Sequence, residues 1–452
     1  MLNRKVFREY DIRGIYPTDI DDEFAYILGK GFGSYIKKDG NNKCIIGHDN
    51  RLSSPSLTKN LINGILSTGC EVIDLGICTT PMYYYAHLVL NILPGIMVTA
   101  SHNPKDDNGF KMAFNTIWNA KGQEIVDFYN FIEEGNFEVG EGALSTYSIE
   151  EEYIELFKKT LSFGPKRLKV VMDPGNGTTS IIAKKLYSLF PMDLIPIFDE
   201  SDGTFPNHHP DPSVEENLEK LKKKVLEEHA DLGVSFDGDG DRIGLIDNLG
   251  NFIPGDKIMI LMIQDIIDKV EKKEFLVDVK CSKAVEDVIN SLGGKPFISR
   301  TGNSYTKAGV LQNNLPFGGE LSGHIYFNDR FPGFDSGLYA GLRIIEYFSR
   351  INESVSEMVD RIPKYEATPE IKIESPDEKK NGVVEKIKEY CHEKGYKTLE
   401  IDGVKVLFDD SWALIRVSNT GPNITLRFEA TTNDRLEELK NEFLDLVNQY
   451  NN

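Results

Sequence analysis

The stretch VSFDGDGDRIG, residues 234–244, sets Asp237, Asp239 and Asp241 around Gly238 and Gly240. Carboxylates this close repel one another unless a cation lies between them. Alternate residues of an extended chain point the same way, so the spacing predicts three acids on one side. The glycines let the backbone wrap tightly. An all-oxygen donor set suits a hard divalent cation such as Mg²⁺. The EF-hand pattern fails, because Arg242 and Asn248 stand where it needs its turn glycine and its last glutamate. A metal loop is the better reading than a solvated acidic turn, because the acids follow directly on an apolar run.

Three protein carboxylates leave coordination open for a substrate or a phosphoryl group. VTASHNPKDDNGFK (98–111) can supply it. Alone it would read as a Ser/Asn turn with a cap, and Pro104 keeps Asn103 out of helix. Beside a metal loop, Ser101 offers a hydroxyl for phosphorylation. His102 and Lys111 then offer proton transfer and charge neutralisation. RVSNTGPNITLRFEA (416–430) reads as an anion cradle. Arg416 can bind phosphate bidentately, and Ser418, Asn419 and Thr420 add further donors. GGELSGHIYF (318–327) puts Glu320, Ser322 and His324 at alternating positions, a set able to read sugar hydroxyls. Tyr10 and Arg13 in FREYDIRGIYP carry no role by themselves. His48, Asp49 and Arg51 read as structural, and HHPDP (208–212) as a proline-fixed loop.

Most of these clusters end an apolar run. KCIIGHDNRLSS, GIMVTASHNPKDDNG, LKVVMDPGNGTTS, ADLGVSFDGDGDR and EFLVDVKCSKAVEDVI each predict a buried strand, a polar turn and a following helix. Ligands of open α/β sheets bind just beyond such strand ends. Composition shifts at 133–151, 248–257 and 361–380 divide the chain into units at 1–152, 153–252, 253–365 and 366–452. The last differs: GVKVLFDDSWALIRVSN and ITLRFEA alternate like antiparallel strands, with helices on either side, an α+β unit.

The 452 residues are too many for one core. A net charge of −20 argues against nucleic acid, though not against an anionic small ligand held by a local basic cluster. No apolar run approaches a membrane span, and MLNRKVFREYDIRG lacks the apolar segment of a secretory signal. Five scattered cysteines without metal or redox spacing fit a reducing cytoplasm.

Taken in order, YDIRG, TASHNP with NGFK, DGDGDR, GGELSGH and RVSNTGPNITLRFEA resemble the α-D-phosphohexomutases, and within them the bacterial phosphomannomutase/phosphoglucomutase type. The resemblance implies four domains around a central cleft: three related α/β domains and a C-terminal α+β domain of TATA-binding-protein-like topology. It implies a phosphoserine at Ser101, with Mg²⁺ held by Asp237, Asp239, Asp241 and the Ser101 phosphate. Glu320 and Ser322 would contact sugar hydroxyls, and Arg416, Ser418, Asn419 and Thr420 would clamp the non-reacting phosphate. Tyr10, Arg13, Lys111, Arg242, Lys280 and His324 would line the cleft. The implied reaction interconverts hexose 6-phosphate and hexose 1-phosphate, of mannose or glucose, through a hexose 1,6-bisphosphate that also serves as activator. A fourth domain that moves and a monomer or homodimer are further expectations. Asn303 stands where many relatives of this subgroup have histidine, so proton transfer is expected to fall to His324, Lys111 or another group, with Asn303 left to bond a hydroxyl. Leu321 stands where glucosamine-specific relatives typically have glutamine. Phosphoglucosamine mutase, a phosphatase and a sugar-phosphate-binding protein without turnover remain the rival readings.

Overall fold

The computed structural model describes residues 2–418 and 421–451. Four sheets succeed one another along the chain. In the first, the strand order is Ile12–Ile15, Asp107–Ala113, Gly95–Val98, Lys43–His48, Glu71–Ile77, Leu144–Thr146. The last four of these are mutually parallel, and Asp107–Ala113 runs antiparallel between Gly95–Val98 and Ile12–Ile15. The second sheet orders Phe252–Ile253, Ile243–Asp247, Leu232–Phe236, Leu168–Asp173, Met192–Pro196, and the third orders Lys295–Ser299, Glu274–Asp278, Phe317–Gly319, Ile325–Phe327. The fourth is wholly antiparallel, centred on Ser411–Val417 and Asn423–Ala430, with helices Asp377–Glu393 and Asn433–Asn451 packed on it. Mixed α/β sheets followed by an α+β unit are the architecture expected. No helix among the described residues is long and apolar enough to cross a membrane.

Two of the five expected strand–turn–helix units are something else. The serine turn after Gly95–Val98 leads into the antiparallel strand Asp107–Ala113, and the acidic turn after Leu232–Phe236 leads into Ile243–Asp247. Both chemistry-bearing turns are therefore hairpin connections. Apolar runs of this length do not report whether the next element is a helix or a return strand. The segments read as linkers are also partly ordered: Leu144–Thr146 extends the first sheet, and Ile371–Glu374 joins the fourth. Helix Glu150–Thr160 crosses the division expected at 152/153.

The core explains which units share an interior. One continuous apolar cluster runs from Tyr83 and Tyr84 through Tyr153, Val170 and Phe236 to Met259 and Tyr339, so the first three units share an interior. The fourth has its own core around Val406, Ile415, Leu426 and Phe443, and meets the third through a small patch of Val279, Trp412 and Leu414. Burial stabilises in proportion to apolar area, so the fourth unit is held by the weakest apolar seam.

Candidate active site

Ser101 is 3% exposed and has φ of 51°, the left-handed region that non-glycine residues rarely occupy. Its surroundings hold it there. Arg51, 1% exposed, donates to the carbonyls of Ser101 (2.8 Å), Asn103 (2.7 Å), Pro104 (2.5 Å) and Asp107 (3.0 Å), while its Nε meets Asp49. The residues read as structural thus serve the site by fixing the serine turn. Arg13 adds a bond to Asn103 Oδ1 at 2.7 Å. Strain of this kind persists only where surrounding contacts impose it. It aims the Ser101 hydroxyl across the unit boundary, where it donates to Asp237 Oδ2 at 2.8 Å.

Asp237, Asp239 and Asp241 are all fully buried, and one oxygen from each lies within 4.8 Å of the other two. They meet through a turn rather than on one side of an extended strand. A Cβ on Gly238 would collide with the Ser101 carbonyl oxygen, so that glycine lets the two turns close together, and Gly240, with φ of 82°, lets the acidic turn bend. Asp237 Oδ1 accepts from the amides of Gly240 and Arg242, and Thr80 donates its hydroxyl to Asp239 at 2.6 Å. Lys111 places its ammonium 2.7 Å from both Asp239 and Asp241.

Lys111 and, 3.8 Å from Asp237, Arg242 stand against three carboxylates, which leaves negative charge uncompensated. Asp239 Oδ1 and Asp241 Oδ1 are buried without a hydrogen-bond partner among the described residues. Burial, then the charges of Asp241 and Asp239, push the Asp237 carboxyl well above the usual range. Orphaned buried acceptors and repelling acids fit a divalent cation. A second set, Asp241, His324 and Asp335, is close enough on the same geometric ground, but Lys307 already answers Asp335.

The other expected residues gather on the same cleft, a cavity of about 670 Å³. Tyr10, Arg13, Ser101, His102, Lys111, Arg242, Lys280, Asn303, Glu320, Ser322, His324, Arg416 and Ser418 all line it. Asn419 and Thr420 lie outside the described residues. The cleft supplies the local basic cluster that an acidic chain needs to bind an anion. Arg416 is 5% exposed; its Nε donates to Asp402 at 2.8 Å, and its Nη2 is buried without a partner among the described residues. Burial lowers and neighbouring carboxylates raise the Lys280 ammonium, with a net rise, and it sits 3.2 Å from Glu370.

Of the proton-transfer candidates, Lys111 is the least able to release a proton. Burial alone would lower its pKa, but Asp239 and Asp241 raise it well above the ordinary value. His102 is driven the other way, by burial and then by Arg242 and Arg13, so its ring stays neutral, 3.3 Å from Ser101 Oγ. His324 Nδ1 lies 2.9 Å from Asp335 Oδ2, and its Nε2 accepts from Arg242 Nε at 2.9 Å. Asn303 donates its amide to Asp335, while its Oδ1 is buried without a hydrogen-bond partner among the described residues. Ser322 Oγ is 3.4 Å from Glu320 Oε2, so those two form one polar edge.

Several cleft residues escaped the sequence reading. Asp211, inside the loop read as proline-fixed, faces Arg242 and raises its pKa. Asp335 and Lys307 sit in segments with no motif character. Glu370, Lys372, Asp402 and Arg427 come from the linker and from sheet positions that alternation marks only as exposed or buried. A charged residue inside a buried strand position, as at Arg427, was the available signal.

This fold and site belong to a known class. The four models of the phosphoglucomutase/phosphomannomutase family, alpha/beta/alpha domains I, II and III and the C-terminal domain, match residues 4–136, 151–250, 254–365 and 370–446. The chain belongs to this family. It is 38% identical over 445 residues to a phosphomannomutase/phosphoglucomutase of Pseudomonas syringae pv. tomato, covering 98% of this chain and 95% of the relative. A phosphoglucomutase of Neisseria gonorrhoeae is 35% identical over 451 residues, covering 99% and 97%. A crystal structure of a phosphoglucomutase/phosphomannomutase family protein from Burkholderia thailandensis superposes with a TM-score of 0.92 at 33% identity, covering 100% of this chain and 98% of that one.

Proposed function

We propose that the protein is a Mg²⁺-dependent phosphohexomutase that interconverts the 6- and 1-phosphates of mannose, glucose or both. One observation carries the reading: a strained serine hydroxyl bonded at 2.8 Å to a buried aspartate trio, at one end of a cleft whose other end presents Arg416. Asp237, Asp239 and Asp241, with a phosphate on Ser101, are the residues that would hold the ion. When bound, Mg²⁺ offsets charge on the Ser101 oxygen as the phosphoryl group leaves.

The chain's own residues do the rest. Arg416, with Ser418, Asn419 and Thr420, holds the sugar's existing phosphate, and Glu320 and Ser322 accept and donate to ring hydroxyls. That fixes the free hydroxyl at C1 or C6 in line with the phosphoserine, where positioning supplies most of the rate. The hydroxyl oxygen bonds to phosphorus, the bond from Ser101 Oγ to phosphorus breaks, and the hydroxyl proton passes to His324. The product is a hexose 1,6-bisphosphate. Turned end for end, it returns its other phosphate to Ser101 and recovers the proton, leaving the isomer. Lys111 stays protonated and offsets charge. Hexose 1,6-bisphosphate added from outside re-phosphorylates an idle Ser101, which makes it an activator. The fourth unit, with its thin seam, is the one that moves to let the intermediate turn. Five unpaired, buried cysteines accord with a cytoplasmic location.

The test compares turnover of mannose, glucose and glucosamine 1-phosphates with Mg²⁺ and catalytic hexose bisphosphate. Turnover of the first two supports the reading. A strong preference for the amino sugar replaces it with phosphoglucosamine mutase. Net release of inorganic phosphate makes the protein a phosphatase, and no turnover with no phosphate on Ser101 makes it a binding protein.

A further inference from the structure

Asp335 and Lys307 touch neither the serine turn nor the clamp, yet both are fully buried beside the cleft. Lys307 Nζ lies 3.4 Å from Asp335 Oδ1 and 3.0 Å from the centre of the Tyr84 ring, with no hydrogen-bond partner among the described residues. A buried ion pair is poor value as a stabiliser, because desolvating both charges offsets most of the attraction. Its presence here points to what the anion does on its other oxygen. Asp335 Oδ2 is 2.9 Å from His324 Nδ1, nearer than Asp241 Oδ1 at 3.5 Å, and Asn303 donates its amide to the same Asp335 oxygen.

We propose that Asp335, charge-balanced by Lys307 and oriented by Asn303, is a positioning residue that fixes the imidazole of His324 for proton transfer. A carboxylate at Nδ1 keeps the proton there and leaves the Nε2 lone pair as the acceptor. In this structure Nε2 takes a bond from Arg242 Nε, so the guanidinium holds the position that a sugar hydroxyl replaces. The frame is rigid. Arg242 and His324 form a β-bridge, Ile243 N donates to Gly323 O, and Ser336, next to Asp335, caps helix Gly337–Arg350. The arrangement also gives Asn303 a role: an amide has no proton to trade at neutral pH, but it donates a bond that orients Asp335.

The proposal rests on the mutase reading for its kinetic arm alone. Ring-nitrogen NMR of ¹⁵N-labelled protein, with His324→Gln to assign the signal, should show a neutral Nδ1–H tautomer in the wild type and its loss in Asp335→Asn. An Nε2–H tautomer in the wild type overturns the proposal, whether or not Asp335→Asn folds. In steady state, Asp335→Asn should lower kcat by about a hundredfold or more with KM within about threefold, and Lys307→Met should act in the same direction. Placed in the His324→Gln background, Asp335→Asn should change kcat by less than about threefold, because its effect runs through the missing ring. Multiplying losses there mean a merely structural role and overturn the proposal. If the wild type turns over no hexose phosphate, the mutase reading falls, and the NMR result alone decides the positioning role.

Discussion

The serine end of the cleft and its clamp end handle charge in opposite ways. At the serine end, three buried aspartates face Lys111, with Arg242 3.8 Å from Asp237 and His324 3.5 Å from Asp241, and two of their oxygens have no hydrogen-bond partner among the described residues. At the clamp end, three buried cations already have carboxylates: Asp402 for Arg416, Glu370 for Lys280, and Asp256 3.8 Å from Arg427. The first end keeps two buried carboxylate oxygens that an added cation would satisfy. The second holds its cations in internal pairs, from which an incoming phosphate can draw bonds without leaving a bare charge behind. Partial pairing of this kind suits reversible binding, since a charge wholly unpaired in the free protein would cost several kcal/mol. On the proposed reading, the difference suits one end to a resident ion and the other to a ligand that leaves and returns reversed.

The comparison can be broken most sharply at Ser101. Ser101→Ala should cut turnover by roughly a thousandfold or more, with no phosphate gained from hexose bisphosphate by mass spectrometry and with sugar-phosphate affinity retained in calorimetry. Arg416→Ala should do the reverse: binding weakens by roughly 1.5–3 kcal/mol, the scale of a lost charge-assisted bond, seen as a raised KM with phosphorylation of Ser101 intact. Wild-type KM in that variant would remove the clamp. Asp237→Asn sharpens the electrostatic half. Relieving one of three repelling charges should leave the metal-free melting temperature unchanged or higher, while the upward shift on adding Mg²⁺ shrinks or disappears. A full Mg²⁺ shift in Asp237→Asn would contradict the trio as an ion site.

The smallest effect concerns the loop that brings Asp211 to Arg242. Burial lowers the His208 pKa, but its bond to Asp173 at 2.9 Å more than offsets this, and the net shift is upward. A raised folded pKa means stabilisation that is full below the unfolded value of about 6.5 and is lost as pH rises through the folded value. The melting difference between wild type and His208→Asn should therefore narrow from pH 6 to pH 8. A difference that grows over that interval would reverse the assignment.

The residues proposed to carry chemistry stood out because such chemistry demands unusual local composition. Three aspartates separated by glycines, or Ser-His-Asn-Pro at the end of an apolar run, have few other reasons to exist. Strand positions were legible for the same kind of reason, from apolar runs bounded by turns. What followed each strand was not: the serine and acidic turns are hairpins because their return strands find partners in the sheet, and pairing is a long-range event. Asp335 and Lys307 had no signal at all. A lone aspartate and a lone lysine read as surface residues until packing takes water away from both.

Sequence by itself determined the donor groups, their order along the chain, and the presence of Gly238, without which the two turns would collide. Only the tertiary structure decided that residues 101 and 237 share a hydrogen bond, that Arg51 grips the serine turn, and that Asp335 faces His324. The reason is that charge and strain are settled by what excludes water and what lies within a few ångströms, and chain separation is silent about both.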